Sequence, residues 1–354
     1  MFSKTNDGSF IDSNGKILYF STERFIRDIC EGDCCFICGI SRSEADFNDE
    51  HVLPKWILRK YNLYKQFITL PNETKLRYDQ YVLPCCKHCN SLMGKKIEEP
   101  IRNLISQGFE AVAQHIETKG YWLFFVWLSL IFFKTHLKGK SLRYHRDRRQ
   151  ENYTLFDTYN WTELHHIHCV ARSFYTGCEI DPRVRGSLLA ISAKIDNHYQ
   201  DFDYLDLHDS KTVLLRISDI CFITVLNDSC CSLIPFSNYL QRLSGGMSPL
   251  QLREVAAHLA FINLNLKKRP EFFTMVDLYR EQHLMSVKSP NFIELDDYEK
   301  SEFGEILNFC CKNFLSACND ENIEQIKRKV KQGKLTFLFD EHGNFNNNSF
   351  ISIT

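Results

Sequence analysis

The sequence predicts an α+β protein in two parts: a cysteine-clamped finger near the amino terminus, followed by a larger domain of mixed helices and strands. Three observations predict it. Two CxxC pairs, Cys35 with Cys38 and Cys86 with Cys89, enclose short strand-like runs and the turn-forming Pro54, Pro71 and Pro84. After Asn90, apolar residues recur at three and four positions, the period of a helix with one buried face. Beyond about residue 110, runs rich in branched and aromatic side chains alternate with further helical stretches. A length of 354 residues with 44% apolar composition allows two cores, so domains of 1–110 and 111–354 are expected.

In chain order, residues 17–20 predict a short strand leading into the cysteines, and 50–53 and 81–83 predict strands inside the finger. Ile97, Ile101, Leu104 and Ile105 predict one buried helical stripe. Residues 121–133 are apolar for about 13 positions between Lys119 and Lys134, short of the roughly 20 that span a bilayer, so a core helix and no membrane segment is expected. The basic run holding Arg143, Arg146, Arg148 and Arg149 reads as a solvated loop. Strands are expected at 164–174, 212–217 and 220–226; in the first, His166 and His168 would share a face, without the further ligand that a metal site needs. Next, Gly245 and Gly246 break the chain, Ser248 caps a helix, Pro249 fits its first turn and Gln251 completes a capping box. Its buried stripe is Leu252, Val255, Ala256, Leu259, Ile262 and Leu266. A helix over 302–318, a charged helix ending near Gly333 and a loose Asn-rich tail, 343–354, complete the chain.

The formal net charge is only −1, so no global field draws the chain to a polyanion. Locally the balance differs: from Glu50 to Arg102 there are ten Lys or Arg against five Asp or Glu, which leaves 33 against 39 elsewhere. A basic surplus around the finger is what a phosphate-binding surface requires. Fifteen cysteines form an odd set, and the first residues lack a charged segment followed by an apolar one. Free thiols in a reducing cytoplasm are therefore expected, rather than a disulfide framework.

Two CxxC turns each present two thiolates to one ion, the arrangement that holds a structural zinc. Cys34 and Cys85 precede the pairs, but only Cys35 and Cys86 stand three residues from another cysteine. The 47 residues between Cys38 and Cys86 exceed the usual ribbon spacing of roughly 15 to 20, so something is inserted between the knuckles. That insert contains Glu50-His51-Val52-Leu53-Pro54, and the second pair runs directly into Asn90.

These elements, CFIC (35–38), EHVLP (50–54, with Trp56) and CKHCN (86–90), with Gly94 and Glu98 beyond, resemble the HNH endonucleases of the ββα-metal group, in which a zinc knuckle holds the active site. The resemblance spans 35 to about 102. It implies zinc on Cys35, Cys38, Cys86 and Cys89, His51 as general base, and Glu50 with Asn90 as ligands of a catalytic Mg²⁺ or similar ion. It further implies Lys55, Lys95 and Lys96 as phosphate contacts and a nucleic-acid substrate, DNA first, cut to 5′ phosphate and 3′ hydroxyl ends. By the same analogy it implies a homodimer or a partner protein in antiphage defence or restriction. Two departures stand out. Glu50 replaces the Asp common in relatives, and the strand before the second pair offers Gln80 and Tyr81 where a middle Asn would orient the base, leaving Asn72 in the preceding loop as a substitute. The competing expectation is a zinc-stabilised module that binds nucleic acid or assembles a complex without turnover.

Overall fold

A computed structural model describes residues 1–147, 149–195, 200–317 and 322–347. Helices and strands are mixed along the chain, an α+β protein as expected. It opens with an antiparallel sheet of β1 (Ser3–Lys4), β2 (Phe10–Ile11) and β3 (Ile17–Tyr19). The Ser21 side chain caps α1 (Thr22–Arg24), which runs on into a π-helical turn, Phe25–Glu31, that buries Phe25, Ile29 and Cys30. β4 (Phe47–His51) then pairs antiparallel with β7 (Val82–Cys86), Glu50 opposite Leu83 and His51 opposite Val82. Between them lie α2 (Lys55–Lys60) and a small hairpin, β5 (Phe67–Thr69) with β6 (Lys75–Arg77).

α3 (Lys87–Met93) follows β7 at once, widens into a π-turn at Gly94–Glu98 and continues as α4 (Glu99–Ile105). Pro100 accounts for the widening, because without an N–H it cannot bond to the Lys96 carbonyl one turn back. Ile97, Ile101 and Ile105 are buried as their spacing requires. After α5 (Phe109–Lys119) comes α6 (Trp122–Lys138), enclosed on every side from Phe124 to Lys134. It is the expected core helix, but it runs past Lys134 instead of ending there. Among the described residues no single helix is long and apolar enough to cross a membrane.

The strand expected at 164–174 is wrong: α7 (Trp161–Ala171) and α8 (Ser173–Thr176) occupy it. The histidines therefore fan around a helix, and His166 and His168 share no strand face. His166 stacks on Phe272 with ring centroids 3.7 Å apart, while His165 and His168 pack on Phe25. These are core histidines.

Beyond β8 (Glu179–Ile180), β9 (Leu188–Ser192), β10 (Phe202–Leu207), β11 (Thr212–Ile217) and β12 (Ile220–Val225) form an antiparallel sheet in the order β10-β11-β12-β9. β11 and β12 are buried at every position, matching the apolar runs that predict them. α9 (Leu233–Leu240) precedes α10 (Pro249–Leu264), which lies on β11 and β12 and carries the expected Ser248–Gln251 capping box. The predicted stripe of α10 is buried, and so are Gln251, Arg253 and Glu254. Arg253 pairs with Asp203 at 2.6 Å, and Glu254 accepts the Leu338 N–H at 3.1 Å. β13 (Glu271–Asp277) and β14 (Gln282–Lys288) follow, with β14 parallel to β8, and the chain ends in α11 (Lys300–Ala317) and α12 (Ile323–Lys331). The start of the tail is anchored rather than loose: Phe345 is buried and the Asn346 carbonyl accepts from Gln251 at 2.8 Å. Residues 348–354 and Arg148 lie outside the described residues.

Two compact units emerge: Met1–Asn103 with Trp122–Val184 and Phe272–Val287, and Leu104–Tyr121 with Arg185–Glu271 and the chain from Lys288 onward. Where one boundary near 110 was expected, the chain leaves the first unit and returns to it twice.

Candidate functional site

The four predicted sulfurs converge. Cys35, Cys38, Cys86 and Cys89 place their Sγ atoms within 4.8 Å of one another, the only such cluster of His, Cys or acidic ligands among the described residues. Four sulfurs about 2.3 Å from one tetrahedral zinc stand about 3.8 Å apart, and Cys38 and Cys86 are 3.7 Å apart already. The donor set therefore fits zinc. Cys85 approaches Cys35 at 3.9 Å but stays outside the set, as the spacing argument expects.

Each knuckle is built by its backbone. In the first, Gly39 N–H donates to the Cys35 carbonyl and Cys35 N–H to the Ile40 carbonyl, both at 2.8 Å. Gly39 sits at φ +81°, and a Cβ there would fall 2.7 Å from the Phe20 ring, so only glycine fits. In the second, Cys86 ends β7 and its sulfur accepts the Cys89 N–H at 3.4 Å as α3 begins. Hydrogen bonds from the other thiols, Cys38 first, drive the Cys35 thiol far below its usual value, while Cys38, Cys86 and Cys89 are pushed up. So tight a cluster gives up protons as it takes a cation.

The sequence reading missed the groups that hold the first knuckle down. Arg172, only 1% exposed at the end of α7, donates to the carbonyls of Ile37 at 2.8 Å and Ile17 at 2.6 Å, and lies over the Phe20 ring. Burial draws its guanidinium down to about 10, opposed by charge on Cys169, Tyr175, Cys38 and Cys89. One zinc on four thiolates leaves two negative charges, and Arg172 offsets part of them. The His168 ring lies 2.7 Å from the Phe36 carbonyl.

Beside this scaffold sits the acid–histidine dyad at the end of β4. Glu50 is buried, and its carboxylate accepts from Lys134 of α6 at 2.6 Å. The same ammonium donates to the His51 carbonyl at 2.9 Å and lies 3.9 Å from Glu98, whose carboxyl burial raises to about 7 against the pull of Lys134. Asn90, in the first turn of α3, donates to Asn48 at 2.8 Å. Asn48 and Glu50 alternate along β4 and so share the face that α3 covers. His51, next in the strand, meets Tyr64 edge-on, and its buried Nδ1 makes no hydrogen bond within the protein. Burial, then the charge of Lys55, hold its imidazole below the usual histidine value. Asn72 does not orient it, being turned to the Arg143 carbonyl at 2.7 Å. A divalent ion on Glu50 and Asn90 would sit beside a fixed positive charge, because Lys134 holds one carboxylate oxygen of Glu50, while the Asn90 N–H is committed to Asn48.

The predicted phosphate contacts Lys55, Lys95 and Lys96 are all exposed, and Lys96 also donates to the Phe174 carbonyl at 3.2 Å. The basic run is tied back as a loop, Arg146 bonding Asn72 and Glu73, and Arg149 bonding Asp147. A cleft of about 340 Å³ not foreseen from the sequence runs along Val82, Leu83 and Pro84 and carries the cations Arg42, Lys138 and Lys140. No family model matches the chain, and no curated protein or solved structure matches it.

Proposed function

We propose that this chain is an HNH-type phosphodiester hydrolase acting on nucleic acid, with a four-cysteine zinc as scaffold and His51 as the base. The observation that carries the reading is the convergence of the four sulfurs at the junction of β7 and α3. It ties β4, β7 and α3 together in ββα order, with the dyad on the first strand and Asn90 on the helix. Zinc supplies rigidity there and needs no open position. His51, kept neutral near pH 7 by its lowered pKa, accepts the proton of an attacking water. Exposed Lys55 and Lys95, with the cations of the cleft, are the groups offered to backbone phosphates. No step is assigned to a divalent ion.

A second reading, a zinc-stabilised nucleic-acid-binding module without turnover, is favoured by the unpartnered Nδ1 of His51 and by the closed salt link on Glu50. Supercoiled DNA separates the two. Under the first reading the zinc-loaded chain nicks it, and His51→Ala lowers the rate about 10²- to 10⁴-fold, the usual weight of a general base, while binding is retained. Equal nicking by wild type and variant removes His51 from the chemistry, and binding without nicking leaves the module.

A further inference from the structure

Lys134 is the one strongly polar side chain enclosed in the run Phe124–Phe133 and the residue after it, and it is 1% exposed. A buried ammonium persists only where oxygens replace its water. Its neighbours are the Glu50 carboxylate at 2.6 Å, the His51 backbone carbonyl at 2.9 Å and the Glu98 carboxylate at 3.9 Å. Carboxylate and carbonyl oxygens arranged around one point are also what a hard divalent cation selects. Here that point belongs to the chain's own nitrogen. A magnesium ion bound to either oxygen of Glu50, at about 2.1 Å, would sit within a few ångströms of a positive charge it could not displace without moving a core helix.

We propose that Lys134 is the resident cation of this centre: its ammonium fills the seat on Glu50 that a divalent ion would take, excludes that ion, and fixes the strand end that carries His51. The centre then carries its positive charge covalently. Lys134 is a positioning residue, since its burial keeps it from any substrate, and phosphodiester chemistry at His51 proceeds with no exchangeable metal on Glu50. The role in catalysis rests on the hydrolase reading above, whereas the claim about the seat is tested by binding alone, so the two fail separately.

The test uses the full zinc-loaded chain and Mn²⁺ as the probe, with free Mn²⁺ counted by its paramagnetic resonance signal and zinc content checked in every sample. Wild type is expected to show no saturable Mn²⁺ site in the millimolar range. Lys134→Met, which keeps the length and removes the charge, is expected to open one site, and the added Glu50→Gln change to close it again. If Lys134→Met does not fold, Lys134→Gln, which keeps an N–H donor for the His51 carbonyl, carries the same comparison. A wild-type Mn²⁺ site that Glu50→Gln abolishes overturns the proposal, and so does a folded, zinc-loaded Lys134 variant that gains none.

Discussion

Arg172 shows how much a single side chain must hold when a metal loop is made of turns. The first knuckle has no helix or sheet of its own, and its carbonyl at Ile37, with those of Ile17 and Leu18, is satisfied by one guanidinium. Arg172→Met leaves three carbonyls without their donor, at about 1–3 kcal/mol for each buried group, and strips the charge that faces the thiolates. We expect zinc affinity to fall about 10- to 100-fold, the usual weight of an outer-shell partner, as read by competition with a chromophoric chelator. Arg172→Lys should recover little, since a single nitrogen on a shorter stem cannot reproduce the planar fork whose three nitrogens reach Ile37, Leu18 and Ile17; full recovery would mean that charge alone matters. The convergence of Cys35, Cys38, Cys86 and Cys89 was legible because their spacing is itself the signal. Lys134 and Arg172 were not, because each meets backbone or acidic oxygens 83 and 135 residues away, and a carbonyl partner leaves no mark in a sequence. The available hint was physical: a lone cation bordering a long apolar run must be paired if it is buried.

At the scale of elements, the parts with a polar side to contrast against their apolar side were legible, as were those with local caps. The Ser248–Gln251 box and the continuous runs of β11 and β12 appear where expected. α7 was misread for the opposite reason. Leu164, His165, Ile167, His168, Val170 and Ala171 are all buried, so the helix shows little polar stripe, and its branched and ring side chains imitate a strand. The same burial makes α7 sensitive to acid. Desolvation lowers His165 to about 4 and His166 to about 3. Below the unfolded value of about 6.5, the unfolded chain therefore binds protons that the folded chain refuses, so stability is present at neutral pH and is lost as pH falls from about 6.5 toward 4. Each unit of depression is worth about 1.4 kcal/mol, so His165 alone takes away up to about 3 kcal/mol by the bottom of that window. Melting temperature followed from pH 7.5 to 4.5 should drop over this range, and less steeply in His166→Phe, whose ring keeps the stack on Phe272 without the proton. An unchanged slope in that variant would show that His166 does not titrate as its burial requires.

At the scale of the whole molecule, the sequence suggested that the finger is a separable domain ending near 110, whereas the first unit is assembled from three stretches of chain. The pieces that complete it are the ones the site depends on. α6 brings Lys134 to Glu50, α7 brings His168 and Arg172 to the first knuckle, and Phe272 of β13 covers His166. Composition hid this, because the basic surplus and the motif both stop near Arg102, while the packing partners of Phe25 are Phe133, His165 and His168. A fragment of residues 1–110 would keep all four zinc ligands and both members of the dyad, yet lose α6 and α7 and so expose the apolar side chains they cover, Phe20 and Phe25 among them. A domain of that size holds only about 5–15 kcal/mol in total. The fragment is therefore expected to bind zinc far more weakly than the full chain and to melt without cooperativity, as seen by zinc analysis after dialysis and by calorimetry. Stoichiometric zinc with a sharp transition in 1–110 would show instead that the knuckles and the ββα turn fold on local contacts alone.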